Sequence, residues 1–312
     1  MFELNKYNLN DAIFIDIETT RSVKELDIDS PLFDAWKYDR VKDGQLSDTE
    51  LVDAYNERAA LFPEFGKITV ISIGRITKDN KSLVLKSYYN EDEKLLLEEF
   101  VKDIEQIAKV KPKAYFAGHA IIDFDMPYIS KRLLINGMPL PLVMDYSGLK
   151  PWEVNILDTK PLWRMTGAFP SSLLTISTVL GLPSPKDDIS GKEAAQLPYS
   201  GEEGAYERIA RYCEKDVLTV AQIVRKLRGE EMLEKNSLTP DTEEKLDIVQ
   251  YLFDGGEYTE EIKALLVDFL TPLNKKEREE VYVILNSICS TAKGKITNIK
   301  KSDVTALKKE MK

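Results

Sequence analysis

Two carboxylates follow a short apolar run near the start of the chain. Residues 12–15 are Ala-Ile-Phe-Ile, and Asp16 and Glu18 come directly after them with one isoleucine between. Because side chains alternate across a strand, the two acids project from the same face of a strand built on this run. Like charges beside a buried strand repel each other and resist burial unless a cation neutralises them. The pattern favours a metal site, and solvated acids at a strand end are the alternative.

The composition limits which metal such a site can hold. The 312 residues include a single histidine, His119, and two cysteines, Cys213 and Cys289. A thiolate zinc site is therefore excluded, and oxygen ligands indicate Mg²⁺ or Mn²⁺. The low cysteine content fits a reducing compartment, so we expect a cytoplasmic protein. We find no apolar run of membrane-spanning length and no signal-peptide pattern, so we expect no membrane partner.

The charge balance bears on the kind of partner. The net charge is −10, from 53 acidic and 43 basic residues. This balance is a poor overall match for nucleic acid, so a nucleic-acid partner would need local basic patches and metal ions.

The elements that must position the acids indicate an α/β chain with a helical end. After the first strand, residues 21–66 are polar and irregular around one predicted helix, and 138–161 is a Pro-rich crossing segment. Further strands are predicted over 67–76, 82–88 and 114–118, and helices over 48–61, 91–109, 125–135, 171–180 and 202–228. From about residue 234 the pattern changes to short amphipathic helices without strands. We therefore predict two domains, 1–232 and 233–312.

Two further acids stand at informative places. Asp216 lies one turn after Tyr212 in the longest predicted helix, so both side chains address the same point in space. A simple hydrogen-bonded helix acid is the alternative for Asp216. In the segment Gly-His-Ala-Ile-Ile-Asp-Phe-Asp-Met-Pro, Asp125 follows a predicted strand, where a helix N-cap would also suit it. Asp123 is a rival for either role.

Taken in order, these motifs resemble those of the tyrosine subclass of DEDD 3'-5' exonucleases in the ribonuclease H-like superfamily. The branch most similar is the proofreading exonuclease domain of family B DNA polymerases. The matching positions, motif by motif, are Asp16 and Glu18, then Phe124 and Asp125, then Tyr212 and Asp216. The resemblance covers about residues 10–228, and not the C-terminal part. One departure is Ala120, which stands where the family usually has asparagine, so substrate affinity or preference is expected to differ.

The resemblance implies both a fold and a reaction. The fold would be a mixed sheet, antiparallel in its first three strands and then parallel, flanked by helices and followed by a small helical appendage. Two divalent cations, Mg²⁺ or Mn²⁺, would be held by Asp16, Glu18, Asp125 and Asp216, with Tyr212 orienting the attacking water. The substrate would be the 3' end of single-stranded DNA or RNA, with DNA favoured, and the products nucleoside 5'-monophosphates.

Four residues are candidate substrate contacts. Phe124, beside the second motif, would stack on a base, with a place in the core as the alternative. Thr19 and Thr20 would contact the terminal sugar, and His119 is either a contact or a structural hydrogen-bonding residue.

Two other functions stay open: a nucleic-acid-binding module that has lost catalysis, and an endonuclease of the wider superfamily. The C-terminal helices are a candidate surface for a protein partner.

Overall fold

The computed structural model describes residues 2–40, 46–77, 80–150, 153–184, 188–236, 258–270, 278, 281–282, 285 and 301–310. The chain divides into two compact units, one of residues 1–105 with 113–237 and one of residues 106–112 with 238–312. Compactness does not establish independent folding, so the predicted domain boundary after residue 232 stays a prediction.

The strands form one mixed sheet. They are β1 (Ala12–Arg21), β2 (Gly66–Ile76), β3 (Ser82–Tyr89), β4 (Tyr115–Gly118), β5 (Ile156–Asp158) and β6 (Glu234–Asn236). Within the described residues the sheet has six strands in the order β5-β4-β1-β2-β3-β6. β1, β2 and β3 pair antiparallel, whereas β4 pairs parallel with β1 and β5 pairs parallel with β4. The predicted change from antiparallel to parallel pairing is confirmed.

Helices accompany the sheet. In chain order they are α1 (Phe2–Asn5), α2 (Pro31–Arg40), α3 (Asp48–Arg58), α4 (Glu93–Val110), α5 (Asp125–Ile135), α6 (Thr159–Arg164), α7 (Leu173–Val179), α8 (Gly191–Ala194), α9 (Ala205–Arg228), α10 (Glu260–Leu270) and α11 (Lys301–Glu310). Single 3₁₀ turns lie at Leu9–Asp11, Ala59–Leu61, Leu142–Met144 and Leu197–Tyr199.

The long helix α9 covers one face of the sheet. It packs against β1, β2 and β3. Phe14 of β1 shares a buried cluster with Val217 and Val220 of α9. Because residues two apart on a strand share a face, Asp16 and Glu18 lie on the face of β1 that α9 covers. This packing positions the carboxylates of β1 and α9 for contact.

Several elements were missed in the sequence, including the short helices α1, α6 and α8 as well as α2, β5 and β6. α2 lies in a segment that we expected to be irregular. It forms because Phe33 and Trp36, three residues apart, bury one helical face in a cluster with α3. β5 lies in the Pro-rich crossing segment, and β6 lies where only helices were expected. β6 has the sequence Glu-Lys-Asn, which has little strand propensity, and forms by pairing with the edge of β3.

The second unit has an apolar cluster of its own. Its buried members are Ile262, Leu266, Leu270, Val281, Tyr282, Leu285, Val304 and Leu307. They recur at the three- and four-residue spacing of amphipathic helices, as predicted for this region. Among the described helices, none combines the length and hydropathy needed to cross a membrane.

Candidate metal centre

Three carboxylates from two elements meet beside the sheet. Asp16 and Glu18 of β1 and Asp216 of α9 each place one carboxylate oxygen within 4.8 Å of the other two. All three side chains are half-buried. The pairing of β1 with β2 shifts register between Glu18 and Thr19, and such bulges re-aim side chains at the ends of ladders. The geometry brings together three of the four acids predicted to hold metal.

The fourth predicted acid, Asp125, lies next to this cluster at the start of α5. Its side chain is buried, with 4% exposure, and its Oδ1 accepts a hydrogen bond from the Ile17 amide at 3.1 Å. Ile17 stands between the two acids of β1. The rival acid Asp123 has a side chain that is 72% exposed and pairs with Lys160 at 3.4 Å. The placement therefore favours Asp125 over Asp123 as the acid that faces the cluster.

The crowding of acids raises two carboxyl pKa values. The pKa of Asp16 lies well above its usual range. Burial is the largest cause, and the charges of Asp216, Asp125 and Glu18 raise this pKa further. Burial also raises the pKa of Asp125 to about 7, against opposing hydrogen bonds from the backbone amides of Asp125 and Ile17. Each ionised carboxylate makes the next harder to ionise. A divalent cation would relieve this repulsion, and an all-carboxylate donor set suits Mg²⁺ or Mn²⁺.

Cys213 supports the cluster from α9, and sequence reasoning did not select it. The single proton of its buried thiol is shared between two acceptors, the backbone oxygen of Asp16 at 3.2 Å and Asp16 Oδ2 at 3.3 Å. Burial raises the pKa of the thiol, and the charges of Asp16 and Glu18 raise it further, so the group stays a protonated donor. The signal was available: Cys213 precedes Asp216 by three residues, which places both on one helical face.

Tyr212 is buried beside the carboxylates. It packs in an apolar cluster that includes Ile189, Ala194 and Leu197. Burial raises the pKa of its hydroxyl, and the charges of Asp216, Glu18 and Asp16 raise it further. At neutral pH the hydroxyl is therefore protonated and can act as a hydrogen-bond donor, whereas it is unsuited to act as a base.

The turn before α5 is fixed by Asp158, a second residue that the sequence analysis missed. Its buried carboxylate accepts hydrogen bonds from the amides of Ala120 at 2.8 Å, Ile122 at 3.1 Å and Lys160 at 2.9 Å. Ala120 has φ of +65°, a left-handed conformation that asparagine and glycine tolerate better than alanine. The departure from the family's usual asparagine thus falls at a backbone position where asparagine is favoured. Asp158 follows Ile-Leu and precedes Thr-Lys-Pro, a pattern typical of a helix N-cap, so the sequence could have indicated Asp158.

The side chains of three predicted substrate contacts are held by the protein itself. His119 Nδ1 is 2.9 Å from Thr159 Oγ1, and burial lowers the pKa of its ring. The hydroxyl of Thr19 donates to the carbonyl of Ala60 at 2.7 Å, and that of Thr20 to the carbonyl of Ala195 at 2.6 Å. These bonds are structural, and substrate contact by the three residues stays a prediction.

Phe124 differs from those three because it is half-buried beside Asp125. Its ring lies 5.3 Å from the ring of Tyr128, with 50° between the planes. One face of the residue is thus supported by the protein, and a base contact by Phe124 stays a prediction.

Comparisons with known proteins agree with this architecture. A family model described as RNase_H superfamily matches residues 56–228, more than half of the chain. The chain belongs to the RNase H superfamily. The match begins after β1, so it includes the positions of Asp125, Tyr212 and Asp216 but not those of Asp16 and Glu18. The predicted ribonuclease H-like fold is confirmed, and with it a nuclease fold.

Two other comparisons do not extend this family assignment. No curated protein matches the chain. The family B DNA polymerase from the hyperthermophilic archaeon Pyrobaculum calidifontis is similar in structure, with a TM-score of 0.44 and 14% sequence identity over 83% of this chain. The chain covers 29% of that polymerase, so it spans less than a third of the polymerase's length.

Proposed function

We propose that this protein is a 3'-5' exonuclease that hydrolyses terminal phosphodiesters of single-stranded or frayed nucleic acid, DNA in preference to RNA. The observation that carries the proposal is the meeting of Asp16, Glu18 and Asp216 within 4.8 Å, beside Asp125, in a chain of the RNase H superfamily. The products would be nucleoside 5'-monophosphates released from the 3' end.

Two divalent cations, Mg²⁺ or Mn²⁺, belong to this proposal. Asp16 would contact both, Glu18 and Asp216 would complete the ligands of one, and Asp125 would serve the other directly or through water. When bound, such ions lower the pKa of the attacking water and stabilise charge on the phosphoryl and leaving oxygens. The acids supply this site from rigid elements, since β1 is a central strand and α9 packs across it.

The remaining groups position the acids and the water. Cys213 holds the Asp16 carboxylate by its thiol, and the Ile17 amide holds Asp125. The Tyr212 hydroxyl, kept protonated by burial and by the acids around it, would orient the attacking water by a hydrogen bond. No histidine is needed as a base, which fits a chain whose single histidine bonds to Thr159.

A labelled oligonucleotide tests the proposal. With Mg²⁺ present, a single strand labelled at its 5' end should give a ladder that shortens stepwise from the 3' end. Asp16→Asn should abolish the ladder, whereas Asp123→Asn, an exposed acid of the turn before α5, should retain it. Digestion that proceeds unchanged in Asp16→Asn would refute the proposed site.

The two other functions predict different products. An endonuclease would cleave a circular single strand, which an exonuclease cannot attack. A binding module without catalysis would retain oligonucleotide binding in wild-type protein and release no nucleotide. The presence of all four acids and the tyrosine favours the enzyme over the module.

Three further parts of the proposal concern context. A cytoplasmic location fits the free, buried thiol of Cys213, because such thiols persist in reducing compartments. Separate domains over 1–232 and 233–312, and a protein partner at the C-terminal helices, complete the proposed organisation. Expression of residues 1–237 alone, which keeps β6 in the sheet, would test whether the nuclease part folds and digests DNA without the second part.

A further inference from the structure

A short segment after β5 carries exposed apolar and basic side chains together. We call residues 159–172 the α6 segment, which is α6 with the loop that follows it. Phe169 is 88% exposed and Met165 is 66% exposed, both in this loop. Met165 ends α6 with φ of +53°, a left-handed conformation that costs a non-glycine residue roughly 1–3 kcal/mol. The loop therefore presents a large aromatic ring to solvent from a constrained backbone.

The start of the α6 segment is tied to the turn that leads to Asp125. Thr159 Oγ1 contacts the ring of His119 at 2.9 Å and donates to the carbonyl of Gly118 at 3.1 Å. The exposed ring of Phe169 is thus carried on a segment that is anchored at its start to the turn that precedes Asp125.

The same segment also reaches the helix that carries the other half of the site. α6 and the following helix α7 both pack against α9, which bears Tyr212 and Asp216. The α6 segment therefore contacts both the turn that precedes Asp125 and the helix that carries Asp216.

The charge of the segment suits a phosphate backbone. Lys160 and Arg164 lie four residues apart on α6 and so share one helical face. Arg164 is exposed, and among the described residues no carboxylate forms an ion pair with it. Lys160 pairs with the exposed Asp123 at 3.4 Å, and an exposed ion pair of this kind contributes little in water. In a chain of net charge −10, Lys160 and Arg164 supply two basic side chains on the segment that also carries the exposed Phe169, as a nucleic-acid-binding surface requires.

We propose that the α6 segment is the binding surface for the single strand that leads into the carboxylate site. The ring of Phe169 stacks on a base, and Lys160 and Arg164 contact phosphates upstream of the terminal bond. Stacking accepts any base, so the surface holds single strands without sequence preference. This inference rests on the proposed function, because it assigns the strand its direction toward the acids.

Oligonucleotide binding tests the surface without digestion. In an Asp16→Asn background, fluorescence anisotropy of a labelled single-stranded dodecamer would compare Arg164→Ala/Phe169→Ala with Lys37→Ala/Tyr38→Ala. The control pair lies on α2 and removes one basic and one aromatic side chain, of which the aromatic Tyr38 is 86% exposed. We expect the first pair to weaken binding by about tenfold or more, on the scale of one lost stack and one lost phosphate contact, and the control pair by less than twofold. Equal affinities for the two pairs would overturn the proposal.

A second measurement does not depend on loss of binding. In a Trp163→Phe background, which removes the native tryptophan of α6, Phe169→Trp keeps the exposed ring and should show quenched tryptophan fluorescence when the oligonucleotide stacks on it, whereas Tyr38→Trp in the same background should not. Absence of quenching at a saturating oligonucleotide concentration would contradict the stack. Melting temperatures would confirm that the variants are folded, as expected for side chains this exposed.

The outcome also separates this inference from the proposed function. If wild-type protein binds the strand through the α6 segment and releases no nucleotide, the surface stands and the exonuclease proposal fails. If nucleotides are released and the two pairs of variants bind equally, the exonuclease stands and the surface is refuted.

Discussion

Replacing Asp16 with asparagine should stabilise the metal-free protein while ending hydrolysis. The oxygens of Asp16, Glu18 and Asp216 lie within 4.8 Å of one another. Two unit charges at that distance repel by about 1 kcal/mol in water and by about 3.5 kcal/mol at an effective dielectric constant near 20. Because the groups are half-buried, we expect the substitution to raise the free energy of unfolding by roughly 1–3 kcal/mol at pH 8.

The gain in the free energy of unfolding from Asp16→Asn should increase with pH. The pKa of Asp16 in the folded protein lies well above its usual range, so the folded state keeps a proton that the unfolded chain releases. Wild-type stability therefore falls as pH rises from about 4, the unfolded pKa, through the raised folded pKa. The advantage of Asp16→Asn should be small near pH 4 and largest above the folded pKa.

Thermal melting with EDTA provides the assay. A difference of 1 kcal/mol corresponds to a shift of roughly 2–4 °C for a folded unit of this size. Added Mg²⁺ should then raise the melting temperature of the wild-type protein and have less effect on Asp16→Asn. Asp123→Asn is the matched control, and its exposed position predicts a change within about 0.5 kcal/mol. A loss of stability in Asp16→Asn, or an equal Mg²⁺ response in both proteins, would refute the reasoning.

Substitutions at four other positions test further contacts. Tyr212→Phe should reduce turnover more than tenfold in a nuclease assay, while calorimetry shows unchanged metal binding. Cys213→Ala should weaken Mg²⁺ binding by about tenfold, because the partner that orients Asp16 is lost, and Cys213→Ser should recover part of it. Glu93 at the start of α4 forms a buried salt bridge with Arg132 of α5, with 2.5 Å between Oε2 and Nη2. Glu93→Ala should therefore destabilise the protein by about 3–5 kcal/mol in denaturant titration, because it leaves the buried Arg132 uncompensated. Ala120→Gly should stabilise it by up to about 1 kcal/mol in the same titration, by relieving the left-handed conformation.

The parts of the fold that depend on local patterns of residues could be predicted from the sequence. Burial of one face gives an element a regular spacing of apolar residues. That spacing is visible in the apolar run before Asp16, in the alternation of β2 and in the apolar residues of α9. β6 could not be predicted, because Glu-Lys-Asn becomes a strand only through pairing with the edge of β3. The conformation of Ala120 was hidden for a similar reason, since tertiary hydrogen bonds to Asp158 impose it.

The candidate site was accessible from sequence to the extent that its acids follow spacing rules. Spacing placed Asp16 with Glu18 and Tyr212 with Asp216, and the order of the motifs added Asp125. Spacing also marks the positions of the supporting residues Cys213 and Asp158, but it does not reveal the groups that they contact. Cys213 and Asp158 act through contacts across the fold, and the hydroxyl of Thr20 bonds to a carbonyl 175 residues away. Such partners depend on how elements pack, which local patterns do not report.

Anomalous diffraction from a crystal soaked in Mn²⁺ would show directly whether the acids hold metal. We expect anomalous density among the carboxylates of Asp16, Glu18 and Asp216, with a second peak toward Asp125. The same crystal form of Asp16→Asn should lose the first peak. Carboxylates that remain in contact and show no anomalous density at saturating Mn²⁺ would contradict the account.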